Sequence, residues 1–201
     1  MTSVFLPWAG IFVCCIGVIL VHTVSRMIGK LLGLFILFTG GSLMLLSACS
    51  FQTCAALLVC GIGSCVLLGT GNISRNVHSS SGSGRENLWF RILLAAAFAL
   101  LSYALTERIR FWIPVRRTIL FAAVWISVMS LIGLTLDDDL LSRCIYLQCV
   151  CLSFTILYIY MENSVLVFGF LAAINLMMAF GGSVLSADRT GAENDAGEEP
   201  S

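Results

Sequence analysis

The side chains able to carry chemistry in this chain are nine cysteines, two histidines, one lysine and eleven carboxylates, and most of them sit where chemistry is hard to do. The cysteines are Cys14, Cys15, Cys49, Cys54, Cys60, Cys65, Cys144, Cys149 and Cys151, and all fall inside apolar runs. None forms a CxxC pair, and no histidine stands at metal-ligand spacing from them. Cys49–Cys54, Cys60–Cys65 and Cys144–Cys149 are each five residues apart, which puts their side chains about 140° apart around a helix rather than on one face. A cysteine in such surroundings acts as a small hydrophobe. The expectation is packed thiols, with no disulfide, no metal and no cofactor.

Among the carboxylates, Glu107, Asp137, Asp138, Asp139 and Glu162 fall at the ends of apolar segments, and the rest lie in a polar stretch or the C-terminal tail. A protein that carries protons or cations through lipid usually needs a carboxylate inside the membrane. Its absence argues against an ion pump acting alone and against a metal-dependent intramembrane enzyme. Lys30 shares a short polar turn with His22. It reads either as an interfacial residue with its long stem reaching the head groups, or as a charge turned toward a neighbouring subunit's polar channel. His78 has no partner pattern. Gln52, Gln148, Asn163 and Asn175 can hydrogen-bond between helices; Lys30, Gln52, Gln148 and Asn175 could instead line a polar path. No GxSxG, HExxH or P-loop is present, and Gly61-Ile62-Gly63 lacks the third glycine and preceding strand of a dinucleotide turn. The chain reads as non-enzymatic.

What must position these groups is a set of membrane helices. Of 201 residues, 59% are hydrophobic and 11% charged, with mean hydropathy +0.99; a soluble domain carries about a quarter charged residues. Such a chain has too few polar groups to cover a surface in water, so its solvent is lipid. About 20 apolar residues cross the hydrocarbon core, and the sequence offers seven such segments: 4–21, 31–49, 53–70, 88–105, 118–136, 141–160 and 164–185. The fold class expected is all-α, a multi-pass transmembrane bundle of six or seven spans with no soluble domain. Only Met161, Glu162 and Asn163 separate the last two segments, which form either a tight hairpin or one interrupted helix.

The segments group into a three-helix block (1–70), a Ser/Gly-rich linker (71–87) and a four-helix block (88–186), followed by an acidic tail (187–201) whose composition implies disorder. With the N-terminus outside and seven crossings, Arg26, Lys30, Arg75, Arg85, Arg91, Arg143 and Arg189 fall inside, and Arg108, Arg110, Arg116 and Arg117 outside. The positive-inside rule favours that arrangement, although the outside cluster is the densest. The basic, aromatic stretch from Arg108 to Arg117 suits lipid head groups. Zero net charge offers nothing to nucleic acid.

Small residues mark where helices approach. Gly29-xxx-Gly33 and the Gly40-Gly41-Ser42 run let span 2 come close to another helix, as do Gly61 and Gly63 for span 3. These faces are expected to seat partner helices, so Gly33 or Gly40 enlarged to leucine should weaken assembly.

The first block has a layout of its own. A basic turn, Ser25-Arg26-Met27-Ile28-Gly29-Lys30, leads into Leu31-Leu32-Gly33-Leu34-Phe35; a turn with Gln52 follows, then Ala55-Ala56-Leu57-Leu58-Val59-Cys60-Gly61-Ile62-Gly63. Residues 10–70 resemble the small three-helix membrane subunit K of NADH:quinone oxidoreductases. They are similar also to the corresponding small subunit of multisubunit sodium/proton antiporters and to small subunits of membrane-bound hydrogenases. In subunit K the resemblance implies a carboxylate where Phe35 stands and another in the third span; neither is present. It implies a structural place in a complex and not a proton-relay role. The function expected is a non-catalytic accessory subunit of a larger membrane assembly, ion-translocating or redox-driven, whose partners are lipid and other integral membrane subunits, in the cell (inner) membrane. The alternative is a small stand-alone transporter or channel.

Overall fold

The computed structural model describes residues 2–24, 26–46, 49–73, 88–111, 115–162 and 164–196. Most of the Ser/Gly linker with His78, residues 112–114, Asn163 and the last tail residues lie outside them. The described residues form seven helices: α1 (Thr2–Thr23), α2 (Met27–Leu45), α3 (Phe51–Ile73), α4 (Leu88–Ile109), α5 (Arg117–Leu136), α6 (Leu140–Glu162) and α7 (Val165–Ala196). Lipid supplies no hydrogen bonds to a backbone, so an apolar segment must satisfy its own amides, and the helix does so within one segment. Among the described residues, six helices, α1, α2, α3, α5, α6 and α7, carry stretches long and apolar enough to cross a membrane. The protein is an integral multi-pass membrane protein with an all-α fold.

Polar residues set the helix ends. Ser50 precedes α3, and its hydroxyl accepts from the Thr53 amide at 3.4 Å. Asp139 precedes α6, and its carboxylate accepts from the Ser142 amide at 3.3 Å. Each satisfies an amide that the first turn leaves without a partner. Asp137 ends α5 in an extended conformation, its own amide still bonded to the Gly133 carbonyl.

The helices alternate in direction. Gly61 meets Phe38 and Gly69 meets Leu31, so α2 and α3 are antiparallel. Tyr103 on α4 meets Phe121 on α5, and Glu107, one turn further along α4, pairs with Arg117 at the start of α5, so these two are antiparallel as well. Gly133 on α5 abuts Tyr146 on α6, and Gly182 on α7 abuts Cys144 on α6. The last two segments are therefore a hairpin and not one interrupted helix. One end of the bundle gathers the C-termini of α1, α3, α5 and α7 with the N-termini of α2, α4 and α6. Because α4 runs from that end to the other beside α5, Lys30 and Asp137 fall at the same end.

The two sequence blocks are not separate units. A single apolar core takes Cys14, Val18, Leu34, Phe38, Leu57 and Leu68 from the first block and Ile126, Met129, Ile145, Leu152, Ile156 and Ala179 from the second. The α3 helix packs on α7, α2 on α6, and α1 on α5. Residues 187–196, whose composition reads as disordered, continue α7 as helix. A packed span removes the cost of nucleating that helix, and alanine and glutamate extend it readily.

Candidate functional site

The densest group of polar side chains stands at the end of the bundle where α1 and α5 finish and α2 and α6 begin. Lys30 lies in the first turn of α2, only 4% exposed. Its ammonium pairs with the Asp137 carboxylate and donates to the Ser142 hydroxyl at 2.7 Å. Ser142 in turn donates to Asp139 at 3.0 Å, and the Tyr146 hydroxyl donates to Asp137 at 3.4 Å. The Tyr146 ring lies 5.5 Å from the Lys30 ammonium and stacks on His22 with centroids 5.0 Å apart. Arg143 closes the outer edge, donating to the Asp137 carbonyl at 2.7 Å and to the Asp138 carboxylate at 3.1 Å.

Within the chain, the Lys30 ammonium is held by Asp137, Ser142 and the Tyr146 ring. A lone ammonium would turn outward to water; an ammonium given a carboxylate, a hydroxyl and an aromatic face can stay inside. Asp137 is likewise more than a span terminator. It and Lys30 are 107 residues apart in sequence, so no local pattern could pair them. The corner clamps α2 to the α5–α6 turn by charge and hydrogen bonds rather than by apolar packing.

A second polar contact lies near mid-span. Gln148 and Asn175 are both fully buried. The Gln148 side-chain amide donates to the Asn175 backbone carbonyl at 3.3 Å across α6 and α7, and the Asn175 side-chain amide donates to the Leu171 carbonyl at 3.3 Å. Gln52 is exposed at the opposite end of the bundle from Lys30. The four residues read as one polar path therefore do not join: Gln148 meets Asn175, Lys30 is engaged in the corner, and Gln52 stands apart.

The glycines pack within the chain. A Cβ built on Gly40 would lie 2.6 Å from the Cys14 sulfur and 2.7 Å from the Cys14 amide nitrogen, and one on Gly33 would lie 2.9 Å from the Val21 amide nitrogen. In the facing helix, a Cβ on Gly10 would meet the Gly40 carbonyl at 2.9 Å and one on Gly17 the Gly33 carbonyl at 3.0 Å. Gly10 thus faces Gly40 and Gly17 faces Gly33, two seven-residue steps running in opposite directions, and backbone touches backbone along the seam. Gly61 receives Phe38 of α2, Gly41 approaches Ile156 of α6, Gly63 approaches Leu176 of α7, and Gly29 sits under Val24 in the α1–α2 turn. The helix packing expected of Gly33 and Gly40 is found within the chain, where α1 occupies that face. Gly10 and Gly17 were the residues overlooked, and their spacing of seven, matching that of Gly33 and Gly40, was the available signal.

All nine cysteines are free thiols. Among the described residues, no three His, Cys, Asp or Glu side chains gather as a metal site would require. On the opposite end of the bundle, Arg117 pairs with Glu107 and lies 4.9 Å over the Tyr103 ring. Phe35 is partly exposed on the outer surface. No protein-family model, no curated protein and no solved structure matches the chain.

Proposed function

We propose that this chain is a non-catalytic accessory subunit of a larger complex in the cell (inner) membrane, one that is ion-translocating or redox-driven, and that the outward face of α7 seats the neighbouring subunit. The observation that carries the reading is on α7. Leu166, Phe170, Met177 and Val184 form an exposed apolar stripe, with Leu166 81% and Met177 72% exposed. Gly181 falls on that stripe, and a Cβ there or at Gly169 would meet nothing among the described residues within 4 Å. Lipid chains cover an apolar stripe without needing a glycine, and glycine costs helix stability of about 1 kcal/mol against alanine. A helix from another chain gains close backbone contact from such a notch.

Two further features support this reading over the transporter. Lys30, the one lysine, is tied up in an ion pair, and Gln52 is remote from Gln148 and Asn175. The resemblance of residues 10–70 to subunit K points to the same kind of assembly. The test is purification from the native membrane in mild detergent. Larger membrane subunits should co-purify with the wild type and be lost from Gly181→Leu with Gly169→Leu, while insertion and the chain's own unfolding stay unchanged. Migration as a monomer or simple homo-oligomer, with solute transport after reconstitution alone, would establish the transporter instead.

A further inference from the structure

We infer that the junction of α3, α6 and α7 holds an internal water molecule at mid-span, which donates to Gln148 Oε1 and Asn175 Oδ1 and accepts from the Ser64 hydroxyl. The inference begins with those three oxygens. Each belongs to a buried residue, and none has a hydrogen-bond partner among the described residues. The amide nitrogens are both used, Gln148 Nε2 on the Asn175 carbonyl and Asn175 Nδ2 on the Leu171 carbonyl. Flipping either amide would give up one of those bonds, so the oxygens are the groups left over.

The three lie at one depth. The Gln148–Asn175 bond fixes the level of α6 against α7. On α3, the Cys60 thiol donates to the Ala172 carbonyl of α7 at 3.5 Å, and Gly63 approaches Leu176. Those contacts run parallel, so α3 keeps step with α7. Ser64 stands one turn beyond Cys60, hence on the same face, level with Asn175.

Two acceptors and one hydroxyl are the partners a single water satisfies, with two protons to give and a lone pair to receive the third. Buried waters typically make about three hydrogen bonds to groups of this kind. An unpaired buried amide oxygen, by contrast, is a standing penalty that lipid cannot relieve. A bare sodium ion fits less well: these are three neutral oxygens, and an ion at mid-span without a carboxylate would be costly to hold. The water would join a helix of the first block to the α6–α7 hairpin through the interior, whereas the Lys30 corner joins the blocks at one end.

Water-edited solid-state NMR on the full chain in lipid nanodiscs, with carbon-13 in glutamine, asparagine and phenylalanine, tests this directly. The expected result is fast polarisation build-up from water at the Gln148 Cδ and Asn175 Cγ carbons, several-fold faster than at the buried Phe38 ring. Build-up at both carbons no faster than at Phe38 would overturn the inference in the wild type, whether or not any variant folds. A saturable shift of both carbons with sodium chloride, absent with choline chloride, would overturn it in favour of a cation site. In Gln148→Met the fast build-up at Asn175 should weaken. Persistence at full strength would overturn the shared site.

Discussion

In α2 a side chain added at Gly33 or Gly40 would run into the α1 backbone, whereas one added at Gly169 or Gly181 of α7 would meet nothing among the described residues within 4 Å. The same residue type serves opposite ends. In the α1–α2 seam glycine removes the only obstacle to backbone contact, and the facing helix supplies its own glycines in register. On α7 it leaves a notch that the chain does not fill. Glycine content alone therefore does not say which helix faces a partner; what matters is whether a matching spacing exists elsewhere in the same chain. Membrane helices gain little from hydrophobic association, so such small-residue seams and interhelical polar contacts hold the bundle together.

At one end of α2, Lys30 ties that helix to the α5–α6 turn, and the largest effect should come from there. Lys30→Met leaves Asp137 partly buried without its cation, and removing one member of a buried pair costs about 3–5 kcal/mol. Unfolding in mixed detergent micelles should register that loss, and Lys30→Met with Asp137→Leu should recover most of it. Equal loss in the double variant would mean that the corner matters through its shape and not its charge.

Gly40→Leu comes next. It must push α1 away from α2 along a backbone contact, and overpacking of this kind costs about 1–3 kcal/mol or more. The same unfolding measurement should show the loss, with Gly10→Leu on the opposing helix doing likewise. If Gly40→Leu instead left stability intact and released a partner, the contrast between α2 and α7 would be reversed.

On the other side of the comparison, Gly181→Ala should not destabilise the isolated chain. Open space surrounds it, and alanine gains up to about 1 kcal/mol in helix propensity. A clear loss of stability would show that α7 packs there within the chain.

The smallest effect concerns Cys49, in the turn between α2 and α3. Burial pushes its thiol above the ordinary value, because desolvation disfavours the thiolate. Alkylation at Cys49 should therefore lag a free cysteine at neutral pH and rise only at more alkaline pH. Reaction as fast as free cysteine near pH 8 would show the turn to be open to water.

The sequence by itself determined the solvent and the elements. Long apolar runs in a chain this poor in charge admit only membrane helices, since backbone amides in lipid must be satisfied within each segment, and the Asp137–Asp139 run already marked the boundary between two spans. It also singled out Lys30, Gln148 and Asn175 as unusual. Their partners could not be read from it, because the Lys30–Asp137 pair, the Gln148–Asn175 contact and the Gly10–Gly40 approach each join residues separated by tens of positions or more. Periodicity reports which face of a helix is apolar; it does not report which helix lies against that face. Only the tertiary structure decided that, by bringing α2 against α1 and Lys30 to Asp137, and by leaving Gly169 and Gly181 of α7 facing outward.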